Sequence, residues 1–162
     1  MSSSPLETFP SADGQQQALR TTCAFLRGAV ISSLEVLEVV AEPGRHTLQR
    51  AEGEHLVFAP EALRRVNHGC EPNVFFDVDR LQLVALRDLA PHEELVYFYP
   101  STEWHMAEPF ECHCASAHCL RHVQGAEALA SDVLRRYRLS AFIARRVAER
   151  GVTPTRHSVQ VS

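Results

Sequence analysis

Short apolar stretches separated by turn residues predict that the first two thirds of the chain is mainly β. Within residues 24–57, apolar stretches at 29–31 and 36–40 are interrupted by Pro43-Gly44 and Glu52-Gly53, which is typical of strands joined by turns. The same reasoning predicts strands at 74–78, 81–86 and 95–99. Residues 61–65 are predicted to form one helical turn before a polar loop at 67–73.

The two ends of the chain have different patterns. Residues 1–14 are rich in Ser, Pro, Gln and Gly and lack periodicity, so we predict a disordered arm. Residues 126–150 are predicted to be a helical tail, because apolar residues recur there at helical spacing, with Ser140 as the N-cap between two segments. The spaced apolar residues are Leu129, Val133, Tyr137, Phe142, Ile143 and Val147. Residues 151–162 are predicted to be a second disordered segment.

Composition narrows the class of protein. A chain of 162 residues is long enough for one hydrophobic core, and no apolar run approaches the roughly 20 residues of a membrane span. We therefore expect an intracellular protein, in the cytoplasm, with no membrane partner. All 16 basic residues are arginine, and half of them follow residue 120. We interpret the tail arginines as the polar face of amphipathic helices rather than as a nucleic-acid site.

Five cysteines point to a metal rather than to disulfides, because the number is odd and Cys112 and Cys114 are too close to pair comfortably. Cys112, Cys114 and Cys119 supply three thiols within one short turn, and a structural zinc site needs four ligands. The residues alone leave the fourth ligand open, and reduced, unligated thiols remain the alternative. The candidates for that ligand are Cys23, Cys70, His113, His118 and His122.

Three motifs, taken together, resemble a SET domain followed by its post-SET segment. They are Asn67-His68-Gly69-Cys70-Glu71-Pro72-Asn73, Glu93-Glu94-Leu95-Val96-Tyr97-Phe98-Tyr99, and Phe110-Glu111-Cys112-His113-Cys114 with Cys119. The motifs occur in the order of that family. The resemblance implies a SET-domain fold of small twisted sheets over residues 15–109, in which the Tyr99 segment threads past the Asn67 loop in a pseudoknot. It also implies a post-SET zinc segment over 110–125.

The same resemblance implies the ligands of the zinc ion. In SET proteins of this kind the cysteine of the asparagine-histidine loop joins the three post-SET cysteines, which selects Cys70, Cys112, Cys114 and Cys119 here. Cys23 is then left over as a core thiol. The three histidines near the cluster, His113, His118 and His122, become surface residues that do not bind the metal.

The implied activity is methyl transfer from S-adenosylmethionine to a lysine amine of a protein or peptide. By similarity, Tyr99 is the catalytic tyrosine that orients the amine, and Tyr97 is a second catalytic residue that limits the methylation state. Asn67 and His68 match the loop that holds the cofactor. Phe110 and His113 match the segment that covers its adenine.

The sequence departs from the family pattern at four places. Gln16-Gln17-Ala18 stands where SET domains usually carry Gly-x-Gly, which lets the backbone approach the cofactor. Phe98 replaces a common acidic residue, and Gly69 replaces a usual serine. The segment between Gly28 and Asn67, which commonly builds one wall of the peptide groove, is short. Two alternatives therefore stand beside the lysine methyltransferase: a SET scaffold that has lost methylation, and an enzyme acting on a small metabolite.

Overall fold

The computed structural model describes residues 3–151 of the chain. The strands are β1 (Leu6–Pro10), β2 (Gln17–Thr21), β3 (Val30–Ser33), β4 (Glu35–Val40), β5 (Leu48–Ala51), β6 (Glu54–Ala59), β7 (Asn67–His68), β8 (Val74–Asp77), β9 (Gln82–Ala85), β10 (Val96–Tyr97), β11 (Phe110–Glu111) and β12 (His122–Val123). The α-helices are α1 (Ser131–Leu134) and α2 (Ala141–Gly151). Short 3-10 turns cover Glu61–Arg65, Tyr99–Ser101 and Ala126–Ala128.

The strands form small sheets of two or three strands. Antiparallel β3-β9-β8 and β4-β6-β5 are the larger ones, and β1-β2 and β11-β12 are antiparallel pairs. A bulge interrupts β4 between Val36 and Glu38, and another interrupts β3 between Val30 and Ser32. Bulges bend strands and increase their twist, which suits a fold assembled from short twisted sheets. The prediction of a mainly β fold with small twisted sheets is confirmed.

Two local predictions are wrong. The predicted disordered arm at 1–14 contains β1, whose residues Leu6–Pro10 pair in register with Thr21–Gln17. The predicted strand at 95–99 ends at Tyr97, and a 3-10 turn begins at Tyr99. Pro100 explains this second difference, because it lacks the N–H that a strand would pair and its ring favours the start of a helical turn. The predicted tail at 151–162 lies outside the described residues from residue 152 onward.

The main core lies between the sheets. Its largest fully buried side chains include Leu19 of β2, Leu56 of β6, Phe76 of β8 and Leu83 of β9. Each side chain comes from a different strand, so the short sheets close around a shared apolar centre. Burial of such side chains contributes about 1.5–3 kcal/mol each, which compensates for the few hydrogen bonds that each small sheet provides.

A crossing of two chain segments organises the middle of the fold. Strands β7 and β10 are parallel, with Asn67 beside Val96 and His68 beside Tyr97. The Gly69 N–H donates to the Tyr97 carbonyl at 3.0 Å. A β-carbon on Gly69 would lie 2.8 Å from a methyl of Val96, so Val96 occupies the space that a serine at position 69 would need. This packing explains the glycine where the family usually has serine.

The C-terminal residues form a second core against the strand ends. Phe98 stacks on Tyr137 with ring centroids 3.6 Å apart and an angle of 4° between the ring planes. Helix α2 adds Phe142, Ile143 and Val147, which are buried near Trp104. The Ser140 hydroxyl accepts the Ile143 N–H at 3.3 Å, so the predicted N-cap is confirmed. Phe98 thus packs against the C-terminal tail, which accounts for an aromatic residue where the family often has an acidic one.

Gly125 allows the chain to turn into this tail. Its φ of 112° lies in the region that favours glycine, and a β-carbon there would lie 2.4 Å from the Trp104 carbonyl oxygen.

The described residues include no helix that is both long and apolar enough to cross a membrane.

We expect Ile143→Ala to lower the free energy of unfolding by about 2–5 kcal/mol, because Ile143 is fully buried in the second core. Urea unfolding followed by circular dichroism measures the change. Arg145→Ala is the matched control on the exposed side of α2, and we expect it to change stability by less than about 0.5 kcal/mol. Equal effects of the two substitutions would show that the tail does not pack as described.

Candidate functional site

One cavity of about 820 Å³ collects all six residues predicted to bind the cofactor or act in catalysis. The N-terminal hairpin, the β4–β5 turn, the 67–73 loop, β10 and the segment 106–116 form its wall. The predicted residues in the lining are Asn67, His68, Tyr97, Tyr99, Phe110 and His113. They come from three separate motifs of the sequence, so the fold, not the chain order, makes them neighbours.

The two phenol rings lie side by side at the inner part of this cavity. The ring centroids of Tyr97 and Tyr99 are 4.6 Å apart, although only Tyr97 belongs to β10. Burial raises the pKa of the Tyr99 phenol to about 12 and raises that of Tyr97 well above its ordinary value. Both phenols are therefore neutral at physiological pH and offer hydrogen-bonding groups rather than charges.

His68 connects Tyr99 to the 67–73 loop. Its Nδ1 accepts the backbone N–H of Tyr99 at 3.1 Å, and its ring meets the rings of Tyr99 and Phe110 edge-on at 5.2 and 5.7 Å. Burial lowers the pKa of His68 to about 4, so the ring is neutral at physiological pH. A neutral imidazole in this position holds the Tyr99 backbone and presents an aromatic surface to the cavity.

Asn67 fastens the N-terminal hairpin to the cavity wall. Its side-chain amide donates to the Gln17 carbonyl at 3.1 Å. The hairpin loop is closed by two hydrogen bonds: the Ser11 N–H donates to the Gln16 carbonyl at 2.8 Å, and the Gln16 N–H donates to the Ser11 hydroxyl at 3.2 Å. Of the three residues that replace Gly-x-Gly, Ala18 is fully buried and only Gln16 lines the cavity, with an exposed side chain.

Four cysteines meet beside the cavity. The sulfur atoms of Cys70, Cys112, Cys114 and Cys119 all lie within 4.8 Å of one another. Tetrahedral zinc with bonds of about 2.3 Å requires sulfur atoms roughly 3.8 Å apart, and Cys70 and Cys112 are separated by 3.9 Å. Cys23 is outside the cluster and exposed, so the prediction of a core thiol is wrong. His113, His118 and His122 are exposed and outside the cluster, as predicted.

The surroundings of the sulfur atoms suit a cation. Burial raises the pKa of Cys70 above its ordinary range and that of Cys112 to about 11. Burial also acts on Cys114, but hydrogen bonds from the Ser116 and Cys70 backbone and from neighbouring thiols lower its pKa to about 7. The Leu120 N–H points at the Cys70 sulfur at 3.4 Å, a contact common around metal-bound thiolates. The cluster could hold one zinc ion, whose charge would keep all four thiolates ionised.

Sequence reasoning missed several residues of the cavity. Arg45 and Arg64 line the side nearest the two tyrosines, and Glu103 is buried beside them. The Arg64 guanidinium donates to the Phe58 carbonyl at 2.7 Å. No periodicity or spacing marks these residues, because their positions depend on partners more than five residues away. Pro43-Gly44 gave the one usable signal, a turn that carries Arg45.

Comparisons with known proteins agree with this geometry. Residues 43–100 match the family model of the SET domain. The chain is also 29% identical over 157 residues to methyltransferase flvH of Aspergillus flavus, an alignment that covers 96% of this chain and 88% of that protein. The matched family segment contains β5 to β10 and both tyrosines.

Solved structures show the same fold. A structure of KRYPTONITE in complex with mCHG DNA and SAH has a TM-score of 0.55 and 23% identity over 72% of this chain. The methyltransferase domain of human histone-lysine N-methyltransferase SETMAR also has a TM-score of 0.55, with 21% identity over 74% of this chain. The chain spans 28% of the KRYPTONITE chain and 58% of the SETMAR chain. At these identities the likeness establishes the fold alone.

The family match therefore confirms a SET domain over residues 43–100, and the relative supports the predicted methyltransferase class. The individual roles of the cavity residues are outside what they test, and those roles stay predictions.

We expect purified protein to contain about one zinc per chain and Cys70→Ser to contain well under half of that, because serine replaces one of four thiolates. Elemental analysis after dialysis against metal-free buffer measures the content. Cys23→Ser is the control, since Cys23 is exposed and outside the cluster. Equal zinc in wild type and Cys70→Ser would contradict the proposed ligand set.

Proposed function

We propose that this protein transfers a methyl group from S-adenosylmethionine to the side-chain amine of lysine. One observation carries the proposal: the residues of three separate SET-like motifs line one cavity, and its inner part holds two adjacent phenols. The SET-domain match and the methyltransferase relative support the reaction class. The SAH complex of a structural neighbour supports this choice of methyl donor.

The cavity fits the donor in size and charge. S-adenosylmethionine supplies an electrophilic methyl group on a cationic sulfonium. A space of about 820 Å³ is within the range of small-molecule sites. Its acidic lining residues include Asp13, Glu71, Glu94 and Glu111, which favour a bound cation through their field.

We assign the donor side of the cavity to Asn67, His68, Phe110 and His113. Asn67 holds the hairpin at the cavity edge. The rings of His68 and Phe110 form an aromatic corner, with their centroids 5.7 Å apart. Such a corner offers a surface for a planar base. His113 follows Cys112 directly, so ordering of the cysteine turn would also position this side chain over the cavity.

We assign the acceptor side to Tyr97 and Tyr99. Methyl transfer to an amine needs the nitrogen in line with the methyl carbon, so most of the rate acceleration comes from positioning. The neutral phenols can hydrogen-bond the amine and leave its lone pair directed at the donor. The Tyr99 hydroxyl lies 3.5 Å from the Val66 carbonyl oxygen, so a second hydrogen-bond acceptor lies beside the phenol oxygen.

A small amine is the second candidate for the methyl acceptor. The chain segment that would form a peptide groove is short, and two arginines line the cavity near the tyrosines. Between Gly28 and Asn67 the chain forms only β3 to β6 and one 3-10 turn. Arg45 and Arg64 line the cavity near the tyrosines, and like charges oppose a strongly basic peptide. Free lysine should therefore be assayed beside lysine peptides.

We expect the zinc-loaded protein to bind S-adenosylmethionine and SAH with micromolar affinity in a calorimetric titration. Tyr99→Phe should bind SAH within about threefold of wild type but lose about 10²-fold or more in methyl transfer, because the amine loses its orientation. Release of tritium-labelled methyl into free lysine and a lysine peptide library measures transfer.

Tyr137→Phe is the matched control. It removes a phenol that lies outside the cavity and donates to the Cys70 carbonyl at 2.8 Å, so we expect about 1 kcal/mol less stability with SAH binding retained. No binding at millimolar S-adenosylmethionine would contradict the methyltransferase proposal. Cofactor binding without transfer to any lysine would contradict the proposed acceptor.

A further inference from the structure

Glu103 is the buried carboxyl group of the cavity. It follows the 3-10 turn that begins at Tyr99, its relative exposure is 6%, and it lines the cavity together with Tyr97 and Tyr99. The other acidic residues in the lining are exposed or only partly buried: Asp13, Glu71, Glu94, Glu108 and Glu111. A carboxyl group beside the two phenols is therefore a separate feature of the acceptor side.

Backbone and side-chain contacts hold this carboxyl group in place. Its Oε2 accepts the Gln49 N–H at 3.1 Å, and the Gln49 side-chain oxygen accepts the Trp104 N–H at 3.0 Å. The Ala126 N–H donates to the Glu103 carbonyl at 2.8 Å. These bonds join β5, the 99–104 segment and the tail, so the group has a defined position.

The carboxyl group lacks a cationic partner in the described part of the chain, where no arginine or histidine nitrogen lies within 4.0 Å of it. The charge of Arg45, in the β4–β5 turn, opposes the rise that burial causes in the pKa of Tyr99. Arg45 is exposed, however, and its guanidinium lies 3.7 Å from the Glu108 carboxylate. A buried carboxylate without a cation is costly. A cationic ligand would remove this cost.

The titration of the neighbouring groups is consistent with such a ligand. Burial raises the pKa of Glu103 to about 7, and hydrogen bonds from Thr102 and Gln49 oppose that rise. The phenols that face it, Tyr97 from β10 and Tyr99 from the 3-10 turn, have pKa values raised by burial and, to a smaller extent, by Glu103. Among these groups Glu103 alone changes charge near neutral pH.

We propose that Glu103 pairs with the ammonium group of the entering acceptor and takes one proton from it before methyl transfer. The inference rests on the proposed methyltransferase function. An N–H bond breaks, its electron pair stays on nitrogen, and an O–H bond forms on the carboxyl group. The nitrogen lone pair then forms the new bond to the methyl carbon while the carbon–sulfur bond breaks. The proton on Glu103 leaves through the cavity to water before the next turnover.

The need for such a group follows from the acceptor. A lysine amine has a pKa of about 10.4, so in water near pH 7 only about one molecule in 10³ carries the free lone pair. A fixed carboxylate first attracts the abundant ammonium form and then accepts its proton. A purely structural carboxylate, which only links β5 to the 99–104 segment, would not respond to an added amine.

The test uses n-butylammonium as the probe and the full-length, zinc-loaded protein with saturating SAH. Binding is followed by NMR, with the glutamate carboxyl carbons labelled so that Glu103 titrates visibly. We expect millimolar binding to wild type and binding at least about tenfold weaker to Glu103→Gln, because one member of a buried charge pair is removed. SAH has no positive sulfur, so the probe should remain an ammonium paired with the carboxylate, and the Glu103 pKa should fall when it binds because a nearby cation favours the carboxylate. The proposed proton transfer belongs to the complex with S-adenosylmethionine, whose sulfonium adds a second positive charge beside the ammonium.

Glu108→Gln is the matched control, because Glu108 lines the same cavity but is exposed at its edge. It should bind the probe within about twofold of wild type. Glutamine at position 103 keeps an oxygen that can accept the Gln49 N–H, and zinc content and thermal unfolding report whether that variant is folded.

Equal probe binding by wild type and Glu103→Gln would overturn the inference, as would a Glu103 pKa that the probe does not change or an absence of probe binding by wild type. The proposed function is judged separately by SAH binding to wild type. SAH binding together with an unresponsive Glu103 would reject this inference and leave the methyltransferase proposal standing.

Discussion

The site depends on the crossing of residues 94–99 past the 67–73 loop, and the Asn73 side chain fastens that crossing. Its oxygen accepts the Val96 N–H at 2.9 Å, and its amide donates to the Glu94 carbonyl at 2.8 Å. Asn73 is 2% exposed, so these bonds are shielded from water and costly to leave unmade. Without this crossing, Tyr99 would not lie next to His68.

Cys70 joins three parts of the molecule at the end of that crossing. Its sulfur belongs to the four-cysteine cluster, and its carbonyl accepts the Tyr137 hydroxyl. Tyr137 in turn stacks on Phe98, which lies between the two cavity tyrosines in the chain. Order in the cysteine turn, the tail and the strand end is therefore coupled, so a metal at the cluster would stabilise the cavity wall as well as its own loop.

Local patterns predicted the features whose causes are local. Alternation and turn residues gave strands close to β8 and β9, and Ser140 gave the start of α2. The arm at 1–14 was predicted wrongly because β1 is ordered by β2, which its own Ser- and Pro-containing sequence does not reveal. Three members of the cysteine cluster were predictable from their spacing, but the fourth was selected only through the family, since Cys70 lies 42 residues from Cys112. Glu103 had no signal, because its burial depends on Gln49, 54 residues earlier in the chain.

The charge balance of the proposed reaction explains why a buried carboxyl group belongs on the acceptor side. Methyl transfer moves one positive charge from sulfur to nitrogen, so a neutral amine keeps the total charge of the cavity constant. An acceptor that enters as ammonium adds a second positive charge a few ångströms from the first, and Arg45 and Arg64 in the wall add to that repulsion. The charges of the exposed acidic residues in the lining are screened by water, whereas a buried carboxylate interacts strongly with a charge a short distance away. Glu103 lies beside the phenols and away from solvent, which is the position that the proposed neutralisation of the ammonium calls for.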